Sequence, residues 1–328
     1  DLHWEPYNDV LYTTSQAAPF DMYDDVGMIA NGTLAHGPTA LRGDAKLEFL
    51  NAETTSKDFL FKNRKFSSEK LAFKVRANPE AEWGFGMDNA RGEVNFDKEK
   101  GDFYLNDPAD YFSFPANKYI CYMDYAKWEI PAKAVKVEKT GAEASSKMIS
   151  VHPRQDSLQF VAGSTRFFLE NSWLESFEVP NIDVADASIF PDTGYVAIEK
   201  NAHMRTLNNA TIQANRTTQY HDFYGGVIDI KSRNYYSGLA DYEYIDQDGT
   251  PWPIRFHEIE VDTSLTTVGK AKVTLEESFY MSPYFAYYGN VGLQADRKAL
   301  DFNGNTHIES NGQAVETDWF SFNSIVDP

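Results

Sequence analysis

One short pattern constrains this chain more than any other. It is glycine, any residue, a small or aliphatic residue, any residue, a large apolar residue, then usually a polar one. The clearest copies are Gly43-Asp44-Ala45-Lys46-Leu47-Glu48, Gly92-Glu93-Val94-Asn95-Phe96-Asp97, Gly194-Tyr195-Val196-Ala197-Ile198-Glu199 and Gly238-Leu239-Ala240-Asp241-Tyr242-Glu243. Close relatives begin at Gly101, Gly226, Gly289 and Gly304. Successive side chains of a strand point to opposite faces, so the third and fifth places share one face. A leading glycine suits a corner, where the backbone turns or approaches a neighbour closely. The pattern therefore predicts a repetitive sheet, with Gly194, Gly238 and Gly304 at corners or strand starts. Val196 and Ile198, Ala240 and Tyr242, and Thr306 and Ile308 are expected to face inward.

A longer self-similarity joins the two ends. Phe20-x-Met22, Gly32-x-Leu34 and Ala40-Leu41-x-Gly43-x-x-x-Leu47-Glu48 reappear in order as Phe279-x-Met281, Gly289-x-Val291 and Ala299-Leu300, then Gly304-x-x-x-Ile308-Glu309. Ordered matches of this kind suggest two related β units separated by a middle segment. Aromatic residues make up 15% of the chain, and sustained helical spacing of apolar residues is missing, which favours strands. Asp248-Gly249 and Asn303-Gly304 read as hairpin or corner turns. Short helices are plausible only around Tyr7 to Ala18 and Asp107 to Phe112. Alternation vanishes from Val137 to Ser150, the best linker candidate. The expected organisation is a first β unit over residues 1–140 and a second over 151–328. The expected fold is all-β, an elongated repetitive sheet built as an open β-solenoid or two layers, with a compact β-sandwich as the alternative.

Charge and cysteine narrow the function classes. With 49 acidic and 30 basic side chains, the formal charge of -19 repels phosphate backbones, so nucleic acid is not an expected partner. A single cysteine, Cys121, permits neither an intramolecular disulfide nor a Cys-x-x-Cys zinc site. Its neighbours Ile120 and Tyr122 mark it as a small core residue. No stretch reaches the ~18 to 20 consecutive apolar residues of a membrane helix. Residues Asp1 to Asn8 do not form a signal peptide, and the chain reads as a mature or excised segment.

The motifs that carry chemistry elsewhere are weak in this chain. Asp246-Gln247-Asp248-Gly249-Thr250 opens like a calcium loop but lacks the closing glutamate, with Ile259 standing nearby, so a turn is the preferred reading. Tyr220-His221-Asp222, with Arg233, Tyr235 and Tyr236 a strand later, has the residue types of a polysaccharide-lyase groove. There a histidine or tyrosine abstracts a proton while arginine neutralises a uronate. Aromatic-rich strands use the same residues for packing at the water boundary, and that reading is preferred. Gly-x-Ser-x-Gly, P-loop and dinucleotide fingerprints are absent, as are paired metal-binding histidines. No catalytic, cofactor-binding or metal-binding residue is therefore assigned, and no cofactor is expected. Asp156-Ser157-Leu158 fits a bacterial O-glycosylation triplet, and Asn31, Asn209 and Asn215 each open an Asn-x-Thr triplet.

The glycine hexads Gly43 to Glu48 and Gly92 to Asp97, with Phe59-Leu60-Phe61 between them, resemble the stacked strands of the lipopolysaccharide-transport bridge and AsmA-like families. Ser150-Val151-His152-Pro153-Arg154-Gln155-Asp156-Ser157-Leu158, Val184-Ala185-Asp186-Ala187-Ser188-Ile189 and Met281-Ser282-Pro283-Tyr284-Phe285 are similar to segments of very large envelope proteins of Bacteroidota. The resemblance implies an exported, periplasmic or outer-membrane-associated segment of a longer protein, partnered by other segments of its parent chain or by envelope proteins. It brings no catalytic residues. The expected role is a non-catalytic structural or lipid-conduit segment, with a carbohydrate-binding or polysaccharide-lyase-type β-domain as the alternative. A conduit requires a continuous apolar groove, and a glycan site requires exposed tryptophan or tyrosine beside clustered polar groups.

Overall fold

The structure, a computed structural model, describes residues 1–142, 146–310, 313–314 and 318–327. Strand occupies 61% of it and helical turns 6%, which settles the all-β class. Along the chain, β1 is Leu2–Glu5, β2 Val10–Thr14, β3 Phe20–Met22, β4 Met28–His36, β5 Leu41–Phe49, β6 Ala52–Lys62 and β7 Lys65–Val75. There follow β8 Phe85–Asn95, β9 Lys100–Leu105, β10 Phe112–Phe114, β11 Tyr119–Cys121, β12 Tyr125–Glu129, β13 Ala134–Glu138 and β14 Lys147–Ser150. Next come β15 Gln159–Val161, β16 Ser164–Phe168, β17 Trp173–Phe177, β18 Ile182–Val184, β19 Ala187–Phe190, β20 Val196–Ile198, β21 Leu207–Ala214 and β22 His221–Ser232. The last are β23 Tyr235–Ile245, β24 Pro251–Val261, β25 Thr267–Val273, β26 Phe279–Ser282, β27 Phe285–Gln294, β28 Leu300–Ser310, β29 Gln313–Ala314 and β30 Phe320–Val326.

Two compact units emerge: Asp1–His152 with Val161–Glu178 and Ala197–His203, and Pro153–Phe160 with Val179–Val196 and Met204–Pro328. In the first unit, β4 through β9 form an antiparallel meander. The long strand β8 forks. Residues Ala90 to Asn95 pair with β9, while Gly86 pairs with Ser113 of β10. From β9 one ladder continues through β12, β13, β16 and β17, and from β10 a second continues through β11 to β14. The chain lays down hairpins alternately in the two ladders. They face each other across a core of phenylalanines: Phe85 stacks on Phe112 at 5.5 Å, and Phe114 of the second ladder meets Phe167 of the first at 5.6 Å. Further along the first ladder, Phe73 touches Phe103 at 4.5 Å and Trp128 at 5.3 Å.

The second unit is an antiparallel ladder running from β18 through β19, β21, β22, β23, β24, β25, β27 and β28 to β30. Its inward face is also filled by rings, with Phe223, Tyr242 and Phe256 in mutual contact at 5.4 to 5.8 Å. Among the described residues, none of these ladders closes into a barrel.

The hexads mark buried faces, and the structure explains their glycine differently from the sequence. Ala45 and Leu47, Val94 and Phe96, Val196 and Ile198, and Ala240 and Tyr242 are all buried. Gly194 lies in a 3-10 turn as expected. Gly238 and Gly304, however, lie inside β23 and β28 rather than at corners. Such glycines are a third inward position whose space a neighbour already fills. A Cβ at Gly92 would sit 2.5 Å from the Phe103 ring, at Gly43 2.9 Å from Phe61, and at Gly238 2.8 Å from the Ile228 side chain. Asn303-Gly304 is therefore no turn: Gly304 pairs with Gly289 across β27 and β28. Ile308 is 36% exposed, because it pairs with the equally exposed Phe285 beyond the end of the core.

Other expectations change too. Tyr7 to Ala18 contains β2, whose partners are β1 and β4, and Asp107 to Phe112 is a turn leading into β10. No α-helix occurs among the described residues, where helical geometry is confined to short 3-10 turns. The linker candidate from Val137 to Ser150 includes part of β13 and all of β14, with Met148 and Ser150 buried, and residues 143–145 lie outside the described residues.

Candidate functional site

A concavity of about 790 Å³ lies in the first unit, over the solvent face of β4 to β8. Its origin is a row of irregularities in neighbouring strands. The register of β5 on β6 shifts between Gly43 and Ala45, and that of β7 on β8 shifts between Ser68 and Leu71 and again before Phe73. Between β6 and β7, pairing stops after Thr55↔Ala72 and resumes at Leu60↔Ser67, so the ladder gapes in the middle. Bulges bend strands and re-aim side chains. Two serines pin the gap: Ser56 Oγ and Ser68 Oγ lie 2.9 Å apart, and each donates to the Lys70 carbonyl, at 2.8 and 3.0 Å. Each also accepts from the backbone ahead of it, Asp58 N–H at 3.0 Å and Lys70 N–H at 3.1 Å. The cleft floor is thus prebuilt.

A second cleft of about 250 Å³ opens at the fork of β8 and shares Thr55, Ala72 and Asp88 with the first. Gly86 keeps the fork open, since a Cβ there would crowd Ser113 Oγ at 3.3 Å. Ion pairs order the rim where the two clefts meet. Lys46 reaches Glu48 and Glu53, both at 2.8 Å, and Glu53 also holds Lys74 at 2.7 Å. The bonds from Glu48 and then Glu53 hold the Lys46 ammonium above its ordinary value. Desolvation works against the Glu53 carboxylate, yet Lys46 and Lys74 together keep it below the usual range. The half-buried Trp83 ring has the Lys74 ammonium 4.4 Å from its centre and the Arg76 guanidinium 4.5 Å away. On the exposed lining of the first cleft, Lys57, Lys70, Asp44 and Asp88 have no ion-pair partner among the described residues. No histidine or cysteine lines either cleft. The arrangement can donate and accept hydrogen bonds.

The residues singled out in the sequence lie elsewhere, in the second unit. His221 is buried, with Nε2 2.8 Å from the Arg297 carbonyl and Nδ1 3.1 Å from Tyr242 Oη. The carbonyl can only accept, so Nε2 carries the proton and Nδ1 accepts from the phenol. Both nitrogens are used, and burial pushes the imidazole below its ordinary pKa. Tyr220 and Tyr235 are exposed, while Tyr236 is buried with its hydroxyl 2.7 Å from Thr267 Oγ1. The structure therefore does not assemble Tyr220, His221, Arg233 and Tyr236 into one groove: the histidine and Tyr236 belong to the core.

Asp246 is consumed in the same way. Its Oδ1 accepts the N–H groups of Asp248 and Thr250, at 3.0 and 2.9 Å, and Oδ2 accepts the Trp252 indole N–H at 3.1 Å. These bonds overcome desolvation and hold the carboxyl below its usual range. The segment is the expected hairpin turn between β23 and β24, with Gly249 at φ +81°. Cys121 is buried and its thiol is pushed up to about 12 by burial. Asp156 and Ser157 lie in an exposed turn where Asp156 accepts from the Asn234 amide at 2.7 Å. Among the described residues, no three metal-ligating side chains converge.

The cleft itself was missed in the sequence. Its signal is the polar run Thr55-Ser56-Lys57-Asp58 facing Ser67-Ser68-Glu69-Lys70, which interrupts apolar alternation at matching points of two adjacent strands. Comparison with family models, curated proteins and solved structures gives no match to this chain.

Proposed function

We propose that the chain is a non-catalytic structural segment of an exported, envelope-associated protein. One observation carries the structural half of the reading: the inward face of each unit is filled by aromatic rings in contact with one another, such as Phe85, Phe112 and Phe114 in the first and Phe223, Tyr242 and Phe256 in the second. A face filled in this way supplies rigidity and favours a structural role over a lipid conduit. The envelope placement rests on the resemblance of the hexads and of the segments 150–158, 184–189 and 281–285. Two related β units belong to the same reading. Its support is that Gly32 and Gly289 both adopt φ near +150° at the point where a long strand changes partner, from β3 to β2 along β4 and from β26 to β25 along β27.

Ile198 tests the reading. It is fully buried, so Ile198→Asp forces a carboxylate into apolar surroundings at a cost of several kcal/mol, about 3 or more. Glu199→Lys, on the neighbouring half-exposed position, is expected to stay within about 0.5 kcal/mol. Thermal melts of both variants, with a lipid photo-crosslinker at position 198, separate the roles. A large loss of stability without crosslinking is the structural outcome. Crosslinked lipid with an unchanged melt would establish a conduit instead.

A further inference from the structure

We propose that the cleft over β4 to β8 binds a neutral polysaccharide chain laid across the strands. This adds a ligand to the structural reading and does not depend on it.

The first ground is extent. The cleft crosses five neighbouring strands and shares the lining residues Thr55, Ala72 and Asp88 with the smaller cleft at the fork of β8. At a strand spacing of about 4.8 Å, that is a trough of roughly 19 Å, suited to an oligomer rather than a single small molecule. The second ground is preorganisation. The serine pair Ser56 and Ser68 and the ion-paired rim of Lys46, Glu53 and Lys74 hold the floor and edge in place without a ligand, which lowers the ordering cost of binding.

Charge decides the ligand class. The two clefts present four lysines and five carboxylates, close to balance in a chain whose overall charge is -19. A polyanion would meet Asp44, Asp58 and Asp88, and a polycation would meet Lys57 and Lys70. A hydroxyl both donates and accepts, so a neutral, hydroxyl-rich chain can satisfy ammonium and carboxylate alike. A lipid tail calls for a continuous apolar lining, whereas the apolar surface here, from Ala45, Leu71, Ala72 and the lysine stems, is interrupted by charged and hydroxyl groups on every strand of β5 to β8. At the fork, Trp83 offers an aromatic body steadied by Lys74 and Arg76.

Affinity electrophoresis tests this, with gels containing hydroxyethylcellulose, laminarin, xylan or yeast mannan, and alginate as the polyanion. Thr55→Trp places a large side chain where the two clefts join, on an exposed strand position that tolerates aromatic residues. Thr211→Trp, exposed on β21 of the second unit, is the matched control. The expected result is that at least one neutral polysaccharide retards the wild-type protein and Thr211→Trp, with affinity at least tenfold lower for Thr55→Trp at an unchanged melting temperature. If Thr55→Trp unfolds, Lys57→Ala with Lys70→Ala replaces it, both side chains being solvent-facing, and the same loss is expected. No retardation by any neutral polysaccharide, retardation by alginate alone, or full retention of binding in the blocked variants would each overturn the proposal.

Discussion

At the residue scale, His221 shows how a side chain that suggests chemistry in a sequence becomes structural in a fold. Its two nitrogens are spent on Arg297 and Tyr242, and its neutral form is the one the core accepts. Burial places the folded pKa below the unfolded value, so the unfolded chain binds more protons between the two. The stability this supplies is complete above the ordinary histidine value of about 6.5 and is lost as the pH falls through the folded value. Melting temperatures measured from about pH 8 down to about pH 5 should therefore decline below about pH 6.5. His221→Gln, which keeps a donor and an acceptor but cannot titrate, should flatten that decline; an identical slope in both proteins would place the proton uptake elsewhere. The fate of His221 was partly legible. It alternates with the inward Phe223, while Tyr220 and Asp222 face outward, and that parity alone separates the members of the supposed triplet. The carbonyl of Arg297, far along the chain, was not legible, and it fixes the tautomer.

At the scale of elements, alternation carried the sequence reading well where strands are regular and failed where they bend. Val196, Ile198, Ala240 and Tyr242 could be placed on the buried face because period-two spacing has only two faces to choose from. The strand-interior glycines were misread as corners because a missing side chain looks alike in a turn and in a strand where a neighbour's ring fills the space. Gly289 and Gly304 show the difference. The buried Tyr287 hydroxyl lies 2.6 and 2.9 Å from where their Cβ atoms would stand, and it donates to the Asn290 carbonyl at 2.7 Å. Gly304→Val would drive a Cβ to 2.2 Å from the Tyr288 carbonyl, so the strands must part. The expected loss is about 3 kcal/mol, at the upper end of overpacking costs. Gly292→Ala on β27 meets only the Asp301 side chain, at 3.3 Å, and should cost far less. Chemical denaturation of the two variants checks the contrast. The cleft escaped the sequence for a related reason: a bulge shifts register without leaving a periodic trace, and only the coincidence of two polar runs on adjacent strands betrays it.

At the scale of the whole molecule, the charge of -19 sets the balance between long-range repulsion and local ion pairs. The pairs are largely at the surface, such as Arg42 with Asp58 at 2.7 Å and Lys133 with Glu170 at 2.6 Å. Exposed pairs are worth about 0 to 1 kcal/mol each and are screened by salt, as is the repulsion. Because the excess of acid is uncompensated, repulsion should dominate. Raising NaCl from about 0.01 M to about 1 M shortens the screening length from about 30 Å to about 3 Å and should raise the melting temperature at neutral pH. A fall would mean that the local pairs outweigh the excess. The forked strand β8 has a different consequence, for the order in which the first unit comes into being. Strand β9 must wait for β12 while the chain makes β10 and β11, and β11 must wait for β14 while it makes β12 and β13. Neither layer can be finished before the other is begun, so the two must rise together, stitch by stitch, as a lace is drawn through alternate eyelets. Each stitch uses a local hairpin and closes a short loop, which suits a chain that emerges from the ribosome one end first.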